Sequence, residues 1–128
     1  MRLLLDTCTF LWIVGGDRAL SSTAVRLFAA PENEVYFSAV SAWEIAVKHQ
    51  LGRLLLPEPP DRFVPAQRGA HAIEPLPLDE ECALHLARLP ALHRDPFDRM
   101  LVCQAIVHGL TILTPDPLIA QYPARTMW

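Results

Sequence analysis

Residues 95–117 read DPFDRMLVCQAIVHGLTILTPDP, and this stretch decides the fold. Asp95-Pro96 puts a favoured cap residue before a proline at the first helical position, where a fixed φ suits the turn and the missing N–H costs nothing. Met100, Leu101, Cys103, Ala105, Ile106 and Val107 carry a helix to Gly109, a residue type that closes helices. Residues 111–113 then form a short strand, and Asp116-Pro117 repeats the cap-and-proline start for a short helix near Ile119. A helix feeding a strand that feeds another helix is the unit of a parallel sheet, because parallel neighbours need a crossover connection.

The same alternation runs upstream. Residues 2–5 read as a strand and residues 7–14 as a helix ended by Gly15-Gly16; Ser21 or Ser22 caps a second helix reaching Ala30. Residues 35–37 are β-prone, and Ser41-Ala42-Trp43-Glu44 fits a capping box opening a helix that Gly52 ends. Pro57-Glu58-Pro59-Pro60 breaks regular structure, and Pro65 weakens a helix over 61–69. A strand within 71–76 and a helix over 79–89, with Cys82, Leu86 and Leu89 on one face, complete the pattern. The expected fold is one three-layer α/β/α domain over residues 1–128 with a central, mostly parallel sheet.

Composition narrows the function classes. A 52% hydrophobic chain of 128 residues must put its apolar excess into a core or an interface, so an oligomer or constant partner is expected. Eleven cations against 14 acids leave a net charge of −3, which excludes a broad basic face for duplex DNA. Any nucleic-acid contact must be local. Ten of the eleven cations are arginines, Lys48 being the single lysine. Cys8, Cys82 and Cys103 are odd in number and set among apolar residues, matching buried reduced thiols and a cytoplasmic location. Asp6 interrupts the apolar start, and no apolar run approaches ~18 residues, so neither secretion nor membrane spanning is expected.

Four acids stand where apolar runs give way to helices: Asp6, Glu44, Asp98 and Asp116. Singly, each has a structural reading as a cap or as a charge favouring a helix N-terminus. Jointly, a parallel sheet gathers them on one rim, where ligands bind in open α/β folds. Crowded carboxylates raise one another's pKa, a cost that a bound cation removes. Asp95, three residues before Asp98, is a further candidate acid. Oxygen-only donors suit Mg²⁺, with Mn²⁺ as the alternate, and phosphate-ester chemistry follows.

These segments carry a resemblance. Leu3-Leu4-Leu5-Asp6-Thr7, Ser38 to Ile45 around Trp43-Glu44, His93-Arg94-Asp95-Pro96-Phe97-Asp98-Arg99-Met100-Leu101 and Leu113-Thr114-Pro115-Asp116 make the chain similar, over nearly its whole length, to PIN-domain proteins, specifically VapC-type toxins of toxin–antitoxin pairs. The resemblance implies a Mg²⁺-dependent endoribonuclease that cuts single-stranded RNA to 5′-phosphate and 3′-hydroxyl ends, a cognate antitoxin and a homodimer. It also implies that Asp6, Glu44, Asp98 and Asp116 are the catalytic, metal-binding quartet, with Asp6 and Asp98 the principal ligands.

His93, Arg94 and Arg99 are candidate phosphate contacts, set against a loop-packing histidine and solvated ion pairs. No stacking platform for bases stands out, and the histidines show no zinc spacing. Part of the run Phe10-Leu11-Trp12-Ile13, with the helix after Ser21, is expected at an interface. Two alternatives remain: a phosphatase or phosphoaspartate protein using Asp6, disfavoured by Cys8 two residues on and by Lys48 in an early helix, and a noncatalytic interaction domain.

Overall fold

Leu3, Leu4 and Leu5 are fully buried in the middle strand of a five-stranded sheet in the computed structural model, which describes residues 1–128. In chain order the elements are β1 (Arg2–Leu5), α1 (Thr7–Gly15), α2 (Ser22–Ala29), β2 (Glu34–Ser38), α3 (Ala39–Gln50), α4 (Pro60–Ala70), β3 (Glu74–Leu76), α5 (Glu80–His85), α6 (Pro96–His108), β4 (Thr111–Leu113), α7 (Pro117–Ala120) and β5 (Thr126–Met127). The strand order is β3-β2-β1-β4-β5 and every pair is parallel, so the mostly parallel sheet expected is parallel throughout. Leu3 registers with Val35 on one side and Thr111 on the other.

Alternating side chains divide the core in two. Leu3, Leu5, Val35, Phe37 and Leu113 point to one face, where Phe10, Ala24, Phe63 and Val64 cover them from α1, α2 and α4. Leu4 and Ile112 point to the other, under Leu101, Val102 and Ala105 of α6 and Ile119 of α7. Helix α3 serves both layers, giving Ile45 to the first cluster and Val40 to the second. No helix is long and apolar enough to cross a membrane.

Several expectations need correction. Helix α3 begins at Ala39, capped by Ser38, whose hydroxyl accepts from the Val40 N–H at 3.0 Å. Ser41 and Glu44 therefore form no capping box: Ser41 lies inside the helix with its hydroxyl buried and unpaired. Strand β2 runs into α3 without a turn, so no loop signal marked the boundary. Leu86 is 38% exposed because a 3-10 turn over Leu86–Arg88 follows α5 and rotates it off the Cys82 face. Cys8 is exposed, unlike buried Cys82 and Cys103. The run from Phe10 to Ile13 needs no such correction: Phe10 is core, and Leu11 and Ile13 pack half-buried against it.

One buried polar link fixes the layer containing α6. Gln104 is fully buried; its Oε1 accepts from the Ser38 hydroxyl and its Nε2 donates to the Pro77 carbonyl at 3.3 Å. Gln104→Leu removes both links: the buried Ser38 hydroxyl keeps its bond from the Val40 N–H but loses the acceptor for its own proton, and the Pro77 carbonyl is left to solvent. We expect a loss of about 1–3 kcal/mol in unfolding free energy, read by urea denaturation.

Candidate functional site

The chain winds outward from β1 through β2 to β3, then returns to place β4 on the other side of β1. The crevice beyond the carboxyl ends of β1 and β4 is thus the topological switch point, where open α/β sheets bind ligands. Asp6 follows β1 directly, and Thr114 and Asp116 follow β4. Helices α3 and α6 run antiparallel to the strands and start at that same edge, bringing Glu44 and Asp98 towards it.

Asp6 is 5% exposed and caps α1, with Oδ1 accepting from the Thr9 N–H at 2.8 Å. Its Oδ2 accepts from the Thr114 hydroxyl, whose oxygen also accepts from the Asp116 N–H at 3.0 Å. Burial pushes the Asp6 carboxyl above the usual carboxylate range, the two threonine partners oppose this, and the charge of Asp116 adds to the rise. Glu44 is 4% exposed; its Oε1 accepts from the Thr7 hydroxyl at 2.6 Å and its Oε2 pairs with Lys48 one turn on. That contact with Glu44 raises Lys48, which stays cationic.

Asp98 has a side chain 17% exposed and a carboxyl pushed up to about 6, first by burial and then by the charges of Asp95, Asp116 and Glu44. His93 opposes the rise: its Nε2 lies 3.1 Å from Asp98 Oδ2, and its Nδ1 lies 2.7 Å from the Tyr122 hydroxyl. The Tyr122 oxygen also accepts from the His93 backbone N–H at 3.1 Å. A neutral imidazole satisfies this chain, taking the tyrosine proton at Nδ1 and donating Nε2–H to the carboxylate. Both ring nitrogens of His93 are engaged by protein groups, so it orients Asp98.

Asp95 is the cap of α6, its Oδ1 accepting from the N–H groups of Phe97 and Asp98 at 2.9 and 3.1 Å. It leaves Asp98 as the acid of this pair with no backbone duty. Asp116 caps α7 through the Leu118 N–H at 2.9 Å and is half-buried. Neither Arg94 nor Arg99 pairs with an acid; Arg94 is exposed, and the Nε of Arg99 is buried without a partner. The solvated ion pairs expected for them are absent.

Sequence reasoning missed the residues that hold the acids: Thr7, Thr114, Lys48 and Tyr122. Only Lys48 carried a local signal, as the lysine four residues after a glutamate. Exposed Cys8 also belongs to this rim, its thiol pushed up by partial burial and then by the charges of Asp6 and Glu44.

No three of the quartet's acids bring oxygens within 4.8 Å of one another, a spacing that among His, Cys, Asp and Glu groups only Asp79, Cys82 and His108 reach. That trio lies near the far end of α6, roughly 15 Å from Asp98 at 1.5 Å per residue. Local structure accounts for it: Asp79 caps α5, and its Oδ2 lies 2.9 Å from His108 Nε2 in a hydrogen bond. The wider rim fits a small hard cation that keeps several waters and touches only one or two carboxylates. Its donors are all oxygen, and two of them carry the raised pKa that a cation relieves.

Comparison with known proteins agrees with this fold. The PIN domain family model matches residues 3–124. Ribonuclease VapC16 of Mycobacterium tuberculosis is 40% identical over 53 residues, a match covering 41% of this chain and 38% of that protein. Among solved structures, a chain of VapBC2 from Rickettsia felis bound to a promoter DNA fragment superposes with a TM-score of 0.75 at 14% identity, covering 100% of this chain and 99% of that one. DNA-bound VapBC from Salmonella typhimurium gives 0.69 at 20% identity, covering 99% and 97%. FitAcB from Neisseria gonorrhoeae gives 0.65 at 20%, covering 98% and 96%.

Proposed function

The chain belongs to the PIN-domain family, and from that membership and the acidic rim we propose that it is a Mg²⁺-dependent endoribonuclease of single-stranded RNA, acting as the toxin of a toxin–antitoxin pair. One observation carries the reading: Asp6, Glu44, Asp98 and Asp116 gather at the switch point of the sheet, and burial holds Asp6 and Asp98 above the usual carboxylate range. Structural caps alone have no reason to be buried together at one edge.

Asp6 and Asp98 would hold the cation, with Glu44 and Asp116 completing its surroundings through water. Bound there, Mg²⁺ supplies charge neutralisation at the phosphoryl oxygens and a coordinated water of lowered pKa. The chain's own groups do the positioning. Thr114 holds Oδ2 of the Asp6 carboxylate, His93, itself fixed by Tyr122, holds Asp98, and Thr7 with Lys48 fixes both oxygens of Glu44. Held groups of this kind lose little freedom as charge develops, which is where such sites gain rate.

The antitoxin is proposed from the VapBC complexes that share the fold. Val25 on α2 is 51% exposed and Leu55 93% exposed, apolar surface suited to that partner or to a second copy in a homodimer. Three free thiols fit a reducing compartment, and we place the protein in the cytoplasm.

Incubation with single-stranded cellular RNA tests the activity. Cleavage should require Mg²⁺ or Mn²⁺, stop with EDTA and leave 5′-phosphate and 3′-hydroxyl ends. Cleavage that persists in EDTA and yields 2′,3′-cyclic phosphates would mean attack by the RNA's own 2′-hydroxyl and would refute the metal-based reading.

A further inference from the structure

Trp43 is 58% exposed, although it sits one residue before buried Glu44 on α3. Its ring meets that of Phe97 edge-on, with centroids 4.9 Å apart and planes at 75°. Phe97 in turn sits one residue before Asp98 at the start of α6. The two helices that deliver acids to the rim are therefore joined beside it by an aromatic pair, and one indole is left open to solvent. Phe97 packs against the core layer beneath, so the pair is anchored on one side only.

We propose that Trp43, braced by Phe97, is the stacking subsite for an unpaired nucleobase next to the scissile phosphate, an inference that rests on the nuclease reading above. Three observations favour a base as the occupant. An edge-on brace leaves the indole free to take a second ring, and base–aromatic stacking is indifferent to sequence. The chain's net charge of −3 gives phosphates little to hold, so affinity for single strands needs an uncharged source. Arg94, three residues before Phe97, is exposed and in no ion pair, which supplies one phosphate contact on the same segment. A paired base has both faces covered by its neighbours, so this subsite also selects for unpaired RNA.

The test measures fluorescence anisotropy of a labelled mixed-sequence oligoribonucleotide with the full chain carrying Asp6→Asn, beside the same length of abasic backbone. The Trp43-containing protein should prefer the base-bearing strand roughly ten- to hundredfold. Trp43→Ala should erase that preference, and Trp43→Phe should keep most of it; unchanged melting temperatures would show that the fold survives both. Equal binding of the two strands by the parent, or a Trp43→Ala variant that keeps its preference, overturns the proposal. So does a Trp43→Ala loss confined to the antitoxin, which would make the indole a protein contact. If Trp43 governs single-strand binding but no RNA is cut by the wild-type chain, the nuclease reading fails and the subsite stands; if the wild type and Trp43→Ala cut RNA equally well, the subsite fails and the nuclease stands.

Discussion

Asp6→Asn should lower RNA cleavage by at least roughly a hundredfold to a thousandfold while leaving the fold intact. A bound cation supplies several kcal/mol of charge stabilisation, and each 1.36 kcal/mol is worth a factor of ten in rate. Removing a principal ligand forfeits most of that. The fold should survive because asparagine caps helices as well as aspartate does: its carbonyl oxygen keeps the bond from the Thr9 N–H, and the Nδ2 that replaces Oδ2 donates to the Thr114 hydroxyl oxygen instead of accepting from it. Without metal the variant should melt at or above the wild-type temperature, since it no longer carries a buried carboxylate that burial and Asp116 disfavour. Near-full cleavage by this variant would remove Asp6 from the mechanism.

The second large effect joins pH, metal and stability. Asp6 and Asp98 are both shifted upward, so the native metal-free protein retains protons that the unfolded chain has released. The stabilisation this gives is complete below the ordinary value of 3.8 and is lost as pH rises through the native value, about 6 for Asp98. For Asp98 the loss is at most about 3 kcal/mol, at 1.36 kcal/mol per pKa unit. In EDTA the melting temperature should therefore fall by several degrees between pH 5 and 7. Saturating Mg²⁺ should reverse the trend, adding about 2.7 kcal/mol at a hundred times Kd near pH 7.5 and far less at pH 5, where protons hold the site. A Mg²⁺ effect equal at both pH values would mean that the cation binds elsewhere.

What the sequence disclosed is uneven, and the unevenness is physical. Asp95-Pro96 and Asp116-Pro117 marked their helices because cap and proline act within a residue or two. Asp6 was legible because it ends an apolar strand and begins a helix in the same step. The start of α3 was misplaced because Ser41 lies ahead of Glu44 at capping-box spacing, whereas the true cap, Ser38, is the last residue of β2. Strand β5 is two residues long, too short for periodicity, and exists only because Thr126 and Met127 find β4. The partners Thr7, Thr114 and Tyr122 were hidden because their bonds reach across the fold: Thr7 meets a glutamate on α3, and Tyr122 meets a histidine before α6. The Trp43–Phe97 pair was hidden likewise, since a tryptophan on one helix does not announce a phenylalanine on another.

The central claim is that the carboxylates beyond β1 and β4 hold the cation. Crystals grown with Mn²⁺ and measured at its absorption edge locate that ion directly. The account predicts the strongest anomalous peak at the rim, ligated by Asp6 and Asp98, and its loss in Asp6→Asn. A map whose main peak lies at Asp79, Cys82 and His108, or one with no peak beside Asp6, would contradict it.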